Sequence, residues 1–219
     1  MAVPLITRED YDAAVAAAEP LFAEISKICQ STGEAVEGNC FYFHKQLGSG
    51  AAAAAELLPK QMNIFSLGRA ATSILEIGFN AGHSTLLFLL ANPAAHVTCF
   101  DICEHAYTRP CFEFIERTFP GRCELIAGDS TVAVPAFVRD NPGRRFDLVH
   151  IDGCHEAAVA ELDFWNCYGL ANRHILWDDT QMTVLNDLLN KYIRAGLVKE
   201  IPIHPTRLYE HRLVVVASA

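Results

Sequence analysis

The chain has 219 residues and a mass of 24.1 kDa, with 51% hydrophobic and 20% charged residues. That balance supports one globular domain with a sizeable core, with or without a short helical extension, and excludes a disordered or collagen-like chain. Lys plus Arg total 17 against 26 Asp plus Glu, a formal net charge of -9, which is the reverse of what a phosphate-backbone binder carries.

No apolar run reaches the ~18 residues of a membrane span. The opening MAVPLITREDYD carries charge by residue 8 and does not read as a signal peptide. The cysteines at 29, 40, 99, 103, 111, 123, 154 and 167 include no CxxC pair and offer no clustered zinc spacing. Several lie in apolar runs, where a thiol acts as a small hydrophobe, so they are expected to be reduced and structural in a cytoplasmic protein. The expected partner is a small-molecule substrate, with neither nucleic acid nor membrane; a homodimer is left open.

In chain order, residues 8–30 read as a helix or helix pair interrupted at Pro20. Residues 31–50 hold Gly33, Gly38, Gly48 and Gly50 and read as loop. The AAAAAELL run at 51–58 is a strong helix former, ended by Pro59, with another short helix over 60–70. From residue 72 short apolar runs alternate with helical segments. The strand candidates are Thr72–Ile77, His96–Ile102, Cys123–Ala127, Phe146–Ile151, His174–Trp177, Val198–Ile203 and Arg212–Val216; the helices fill 82–91, 108–119, 131–140, 155–168 and 182–195. This alternation predicts an α/β fold, a Rossmann-like three-layer domain over 71–219 with a mostly parallel sheet, behind an N-terminal helical cap over 1–70 that contributes to the substrate site. Residues 204–211 leave no room for a helix, so the last two strands form an antiparallel hairpin.

Ligands of such sheets sit beyond the carboxyl ends of the strands. The first strand ends in Glu76-Ile77-Gly78-Phe79-Asn80-Ala81-Gly82-His83-Ser84. Its two glycines allow a tight turn and close approach of a ligand, and the following helix offers free N–H groups to an anion. The GxxxG spacing departs from the GxGxxG of dinucleotide-binding dehydrogenases, which favours a different nucleoside. Asp101, followed by Ile102, ends the second strand and suits the two hydroxyls of a ribose, or a helix cap. Asp129 and Ser130 after the third suit an adenine edge, a helix N-cap, or both. The fourth strand runs into Asp152-Gly153-Cys154-His155 and the fifth into Asp178-Asp179. Three carboxylates at one sheet edge repel unless neutralised, and an all-oxygen set suits a hard divalent ion such as Mg²⁺. Alternatively, some of them cap helices. His150, within its strand, is expected to be buried and hydrogen-bonded, and His44 and His211 lie in segments that could cover the site.

Residues 72–180 resemble the core of a class I S-adenosylmethionine-dependent methyltransferase. ILEIGFNAGHS is similar to that family's first motif, and HIDGCHEAAVAELD resembles a small-molecule subfamily with an HIDG-x-H signature. The acids are placed as in the metal-dependent catechol-type O-methyltransferases. The resemblance implies that Gly78, Phe79, Asn80, Gly82 and His83 shape the cofactor turn with Glu76 bracing it. It implies that Ser84 helps hold the methionine carboxylate, Asp101 and Ile102 meet the ribose, and Asp129 and Ser130 border the adenine. Asp152 falls beside the cofactor, and Asp152, Asp178 and Asp179 at the metal positions, the last replacing a usual Asn. His155 stands where the catechol-type enzymes carry a lysine as general base. The activity implied is methyl transfer from S-adenosyl-L-methionine to a small-molecule hydroxyl, with Mg²⁺ and a catechol or vicinal diol favoured. A metal-independent enzyme relying on His155, and a non-catalytic S-adenosylmethionine-binding module, are the alternatives.

Overall fold

The computed structural model describes residues 3–43 and 54–217. Seven strands form a single sheet among them: β1 (Ser73–Ile77), β2 (His96–Asp101), β3 (Cys123–Ala127), β4 (Phe146–Ile151), β5 (Ala171–Trp177), β6 (Val198–Ile201) and β7 (Arg212–Val216). The order is β3-β2-β1-β4-β5-β7-β6. β1 to β5 pair in parallel, and β7 lies antiparallel to both β5 and β6. Strand order reverses between β1 and β4, and a crevice opens there beyond the strand tips.

The strands are apolar on both faces because helices cover both. Their side chains alternate with period two. Ile74, Leu148 and Leu176 join the core beneath α1 (Arg8–Thr32), α2 (Leu58–Arg69), α3 (His83–Ala91) and α4 (Thr108–Thr118). Their neighbours Leu75, Val149 and Ile175 join the opposite core beneath α5 (Ser130–Asp140), α6 (Ala157–Tyr168) and α7 (Thr183–Arg194). The second core is aromatic at its centre: Phe164 stacks on Tyr192 at 4.0 Å between ring centroids and leans on Trp177.

The cap departs from the sequence reading in two places. Pro20 does not break α1, which is continuous from Arg8 to Thr32. The proline costs one intrahelical bond, but Ala18, Phe22, Ile25 and Cys29 are buried on either side of it and hold the helix in line. Pro59 opens α2 rather than ending a helix, as its fixed φ and missing N–H suit a first turn. Of the alanine run, residues 51–53 lie outside the described residues, and Ala55–Leu57 make a single 3-10 turn. At the other end, β5 begins at Ala171 and β6 stops at Ile201.

Every residue of α2 from Lys60 to Gly68 is buried, so its polar side chains must all find partners. The Tyr11 hydroxyl donates to Gln61 Oε1 (2.7 Å), and Gln61 Nε2 donates to the Cys40 carbonyl (2.8 Å). Asn63 pairs with the His204 backbone through both ends of its amide, at 2.8 and 2.9 Å. Ser66 Oγ accepts from the Ile6 amide (2.9 Å). α2 is thereby tied to α1, to the loop before it and to the loop joining β6 to β7.

Candidate functional site

A cavity of about 580 Å³ lies over the tips of β1, β2, β3 and β4. One wall is the turn after β1. Gly78 has φ +92°, and a Cβ there would stand 2.0 Å from the Asp152 carbonyl oxygen. Gly82 has φ +81°, and a Cβ there would meet the Phe79 ring at 2.5 Å. Both positions therefore demand glycine, sterically and conformationally. Phe79, Asn80, His83 and Ser84 line the cavity, with His83 and Ser84 opening α3. The His83 ring is buried with neither nitrogen hydrogen-bonded, and burial lowers its pKa to about 4.

Asp101 faces the cavity from the tip of β2, beside the largely exposed Ile102. The Asn80 amide donates to Asp101 Oδ2 (2.8 Å) and the Cys103 amide to Oδ1 (2.6 Å). These bonds fix the carboxylate and leave lone pairs for a ligand's hydroxyls. Gly128, Asp129 and Ser130 line the far end. Asp129 also caps α5, accepting from the Thr131 amide and hydroxyl at 2.9 and 2.7 Å, and these bonds hold its carboxyl below the usual range. Asp129 thus caps the helix while it lines the cavity.

Glu76 is placed differently. It is fully buried behind the turn and does not reach the cavity. It accepts from the Thr85 hydroxyl, which fastens β1 to α3, and pairs with His150 Nδ1 at 2.9 Å. Glu76 and His150 are register partners on β1 and β4. Glu76 therefore braces the site and does not stand where it can touch a ligand.

The acids at β4 and β5 do not form one open set. Asp152 faces the cavity, and burial followed by the nearby Asp178 raises its pKa. The Asp178 side chain is inaccessible. Its Oδ1 lies 2.7 Å from the Lys60 ammonium, and its Oδ2 lies 3.5 Å from His150 Nε2. Burial opposes its charge, but Lys60 and then His150 outweigh burial and hold its carboxyl below the usual range. Burial also opposes the charge on Lys60, yet Asp178, Asp152 and Asp179 prevail and raise its pKa. His150 is held the same way: bonds to Asp178 and Glu76 overcome burial and lift its pKa to about 10. Asp179, at φ +53°, pairs with His155 Nε2 at 2.7 Å and accepts from Gln181 Nε2 at 2.7 Å. That pairing, against partial burial, raises the His155 pKa.

The fit of a divalent ion follows from this arrangement. Within the expected trio, Asp178 is matched by Lys60 and Asp179 by His155, and only Asp152 is left without its own cation. An ion bound by all three would have to compete with both pairs for their carboxylates, one pair being fully buried. Among the described residues, the group whose ligand atoms do lie within 4.8 Å of one another is His150, Asp152 and Asp178, without Asp179; its imidazole binds Glu76 through Nδ1 and turns Nε2 to Asp178 Oδ2, so an ion there would share Asp178 with the Lys60 ammonium. The residues as folded do not fit the three-aspartate metal site read from the sequence.

Lys60 is the residue the sequence reading missed. It lines the cavity together with Cys40, Ile64 and Tyr209, so the segments 31–70 and 204–211 do reach the site. His211 is buried behind them, its Nε2 2.9 Å from Asn63 Nδ2; His44 lies outside the described residues. A lysine in a helix of mixed polarity reads as a solvated side chain. The one available signal was that Lys60, Gln61, Asn63 and Ser66 leave α2 no purely polar face.

No curated protein sequence matches the chain. Among solved structures, TomG from Streptomyces achromogenes is an O-methyltransferase involved in tomaymycin synthesis, in complex with SAM. It is 16% identical, covering 91% of this chain and 90% of its own, with a TM-score of 0.63. The calicheamicin methyltransferase CalS11 is 14% identical over 75% of this chain and 81% of its own, with a TM-score of 0.63. An O-methyltransferase from Bacillus cereus in complex with SAH is 16% identical over 78% and 84%, with a TM-score of 0.57. At such identities the likeness is one of fold. The family described as "Methyltransferase domain" matches residues 75–180, from β1 to the Asp178-Asp179-Thr180 tip after β5. Residues 75–180 therefore match a methyltransferase domain, and the cavity lies over the strand tips of that matched segment.

Proposed function

We propose that the protein transfers the methyl group of S-adenosylmethionine to a hydroxyl oxygen of a small molecule, with His155 as general base. The observation that carries this reading is the His155–Asp179 pair, 2.7 Å apart at the edge of the cavity that Asp101 also lines. The glycine cradle at Gly78 and Gly82, the anchored Asp101 and the opening of α3 fit a nucleoside with a carboxylate-bearing tail. The SAM- and SAH-bound fold relatives support the same donor.

S-adenosylmethionine supplies an electrophilic methyl carbon on a sulfonium. The protein has to expose the acceptor's lone pair and aim it. With Nε2 of His155 turned to Asp179, Nδ1 is the nitrogen left to take the acceptor proton, and Asp179 stabilises the imidazolium that results. The oxygen then bonds to the methyl carbon as the carbon–sulfur bond breaks, its electron pair passing to sulfur. Alignment by the cavity walls lowers the barrier further. A second reading keeps a divalent ion, supported by the closeness of His150, Asp152 and Asp178; the ion would stand beside the Lys60 ammonium already held by Asp178. The preference for a catechol or vicinal diol rests on chelation and belongs to that second reading.

The test is transfer of labelled methyl from S-adenosylmethionine to a panel of hydroxylated metabolites, with NAD binding as the control for a dehydrogenase. His155→Ala should cut turnover by roughly 100- to 10,000-fold, the usual contribution of a positioned base, while S-adenosylmethionine still binds. Donor binding without transfer to any acceptor would favour a binding module.

A further inference from the structure

The misfit between the acid cluster and a metal ion has a positive counterpart. Lys60 Nζ sits 2.7 Å from Asp178 Oδ1, with both side chains buried. The same lysine also reaches the cavity, which it lines with Asp152, His155, Asp179 and Tyr209. Its ammonium has three donors, and its only hydrogen bond among the described residues is the one to Asp178. The Tyr209 ring, 6.0 Å from Nζ, closes the other side. α2 cannot carry Lys60 away easily, because Gln61, Asn63 and Ser66 pin the helix on successive faces.

Three of the cluster's four acids are then matched in pairs, and Asp152 is the one left over. His150 stands against Glu76, Lys60 against Asp178 and His155 against Asp179. We propose that Lys60 is the resident cation of the acceptor site, occupying the place of a divalent ion and holding the acceptor oxygen with its free N–H donors while His155 takes the proton. This rests on the methyl-transfer reading above. A fixed ammonium in a water-poor site steadies the charge that develops on the acceptor oxygen. It offers one oxygen a point charge and does not chelate two, so the acceptor it fits carries a single reacting hydroxyl and needs no neighbouring one.

The experiment has an arm that does not depend on turnover. Mn²⁺ is titrated calorimetrically into the metal-stripped protein and into Lys60→Met. The wild type should show no binding at millimolar Mn²⁺. Lys60→Met, with Asp178 and Asp152 released, should bind it. Tight Mn²⁺ binding by the wild type would overturn the proposal whether or not an acceptor has been found. In the activity arm, wild-type turnover should survive chelation. Restoration of a chelated, inactive enzyme by Mg²⁺ would overturn the proposal too. Lys60→Met leaves a buried carboxylate unpaired and could fail to fold, so Lys60→Met/Asp178→Asn supplies the charge-balanced control. The double variant should regain the melting temperature and the S-adenosylmethionine affinity of the wild type, yet keep kcat at least 100-fold down. Recovery of kcat along with stability would reduce Lys60 to a structural counter-ion and sink the idea.

Discussion

Lys60 and Asp178 are 118 positions apart in the chain, and their charged atoms meet at 2.7 Å with both side chains buried. Breaking such a pair from one side costs about 3–5 kcal/mol, because the partner is left charged and buried. The pair joins the cap to the tip of β5, so the electrostatics of the site and the attachment of the cap are one interaction.

Asp101→Ala should weaken S-adenosylmethionine binding about 10- to 100-fold, the loss of charge-assisted hydrogen bonds worth about 1.5–3 kcal/mol. Calorimetric titration checks this. An unchanged dissociation constant would remove the ribose assignment.

The pH profile should report the His155–Asp179 pair. The bond to Asp179 raises the His155 pKa, and a base works only when deprotonated. Activity should therefore climb with pH through a value above the ordinary histidine range. Asp179→Asn removes the raising charge, so the acid limb of kcat/KM should move to lower pH while the plateau falls. A limb that stays where it was would mean that another group titrates.

Acid stability should follow the buried neutral histidines. His83 and His174 are each depressed to about 4, His83 by burial and His174 by burial and then Arg173. The unfolded chain binds protons at these rings first, so their contribution is complete above pH 6.5 and is lost as pH falls toward about 4. The melting temperature of the ligand-free protein should drop over that window, and His83→Phe should flatten the drop. Identical curves for wild type and variant would show that His83 is not responsible.

Gly78→Ala should cost more than about 2 kcal/mol and abolish donor binding. The added methyl would overlap the Asp152 carbonyl, at a φ of +92° that disfavours any other residue. Thermal unfolding with and without S-adenosylmethionine measures both effects. A variant as stable and as tightly binding as the wild type would contradict the close approach of β1 to β4.

The sheet was legible because its signal is local. Each of β1 to β5 is a short run that ends at or just before a glycine or an acid, and the glycines after β1 and the acids at the tips of β2 and β4 mark the cavity wall. The cap was less legible. Pro59 carries the same letter whether it ends a helix or begins one. What decides is the burial of Lys60 to Gly68, a tertiary fact. The sequence places Asp152, Asp178 and Asp179 at neighbouring strand tips but does not show which cations arrive with them. Lys60 comes from a helix whose mixed pattern gives only a faint sign of an interior position, and the partner of His155 lies on another strand tip, 24 residues on.

Asn63 grips the backbone of His204 at two points from the middle of α2. Those few hydrogen bonds make the first seventy residues inseparable from the last twenty. Anyone hoping to swap acceptor preference by grafting a foreign front segment onto this sheet would have to transplant the β6–β7 connection with it, or else inherit a seam of stranded amides.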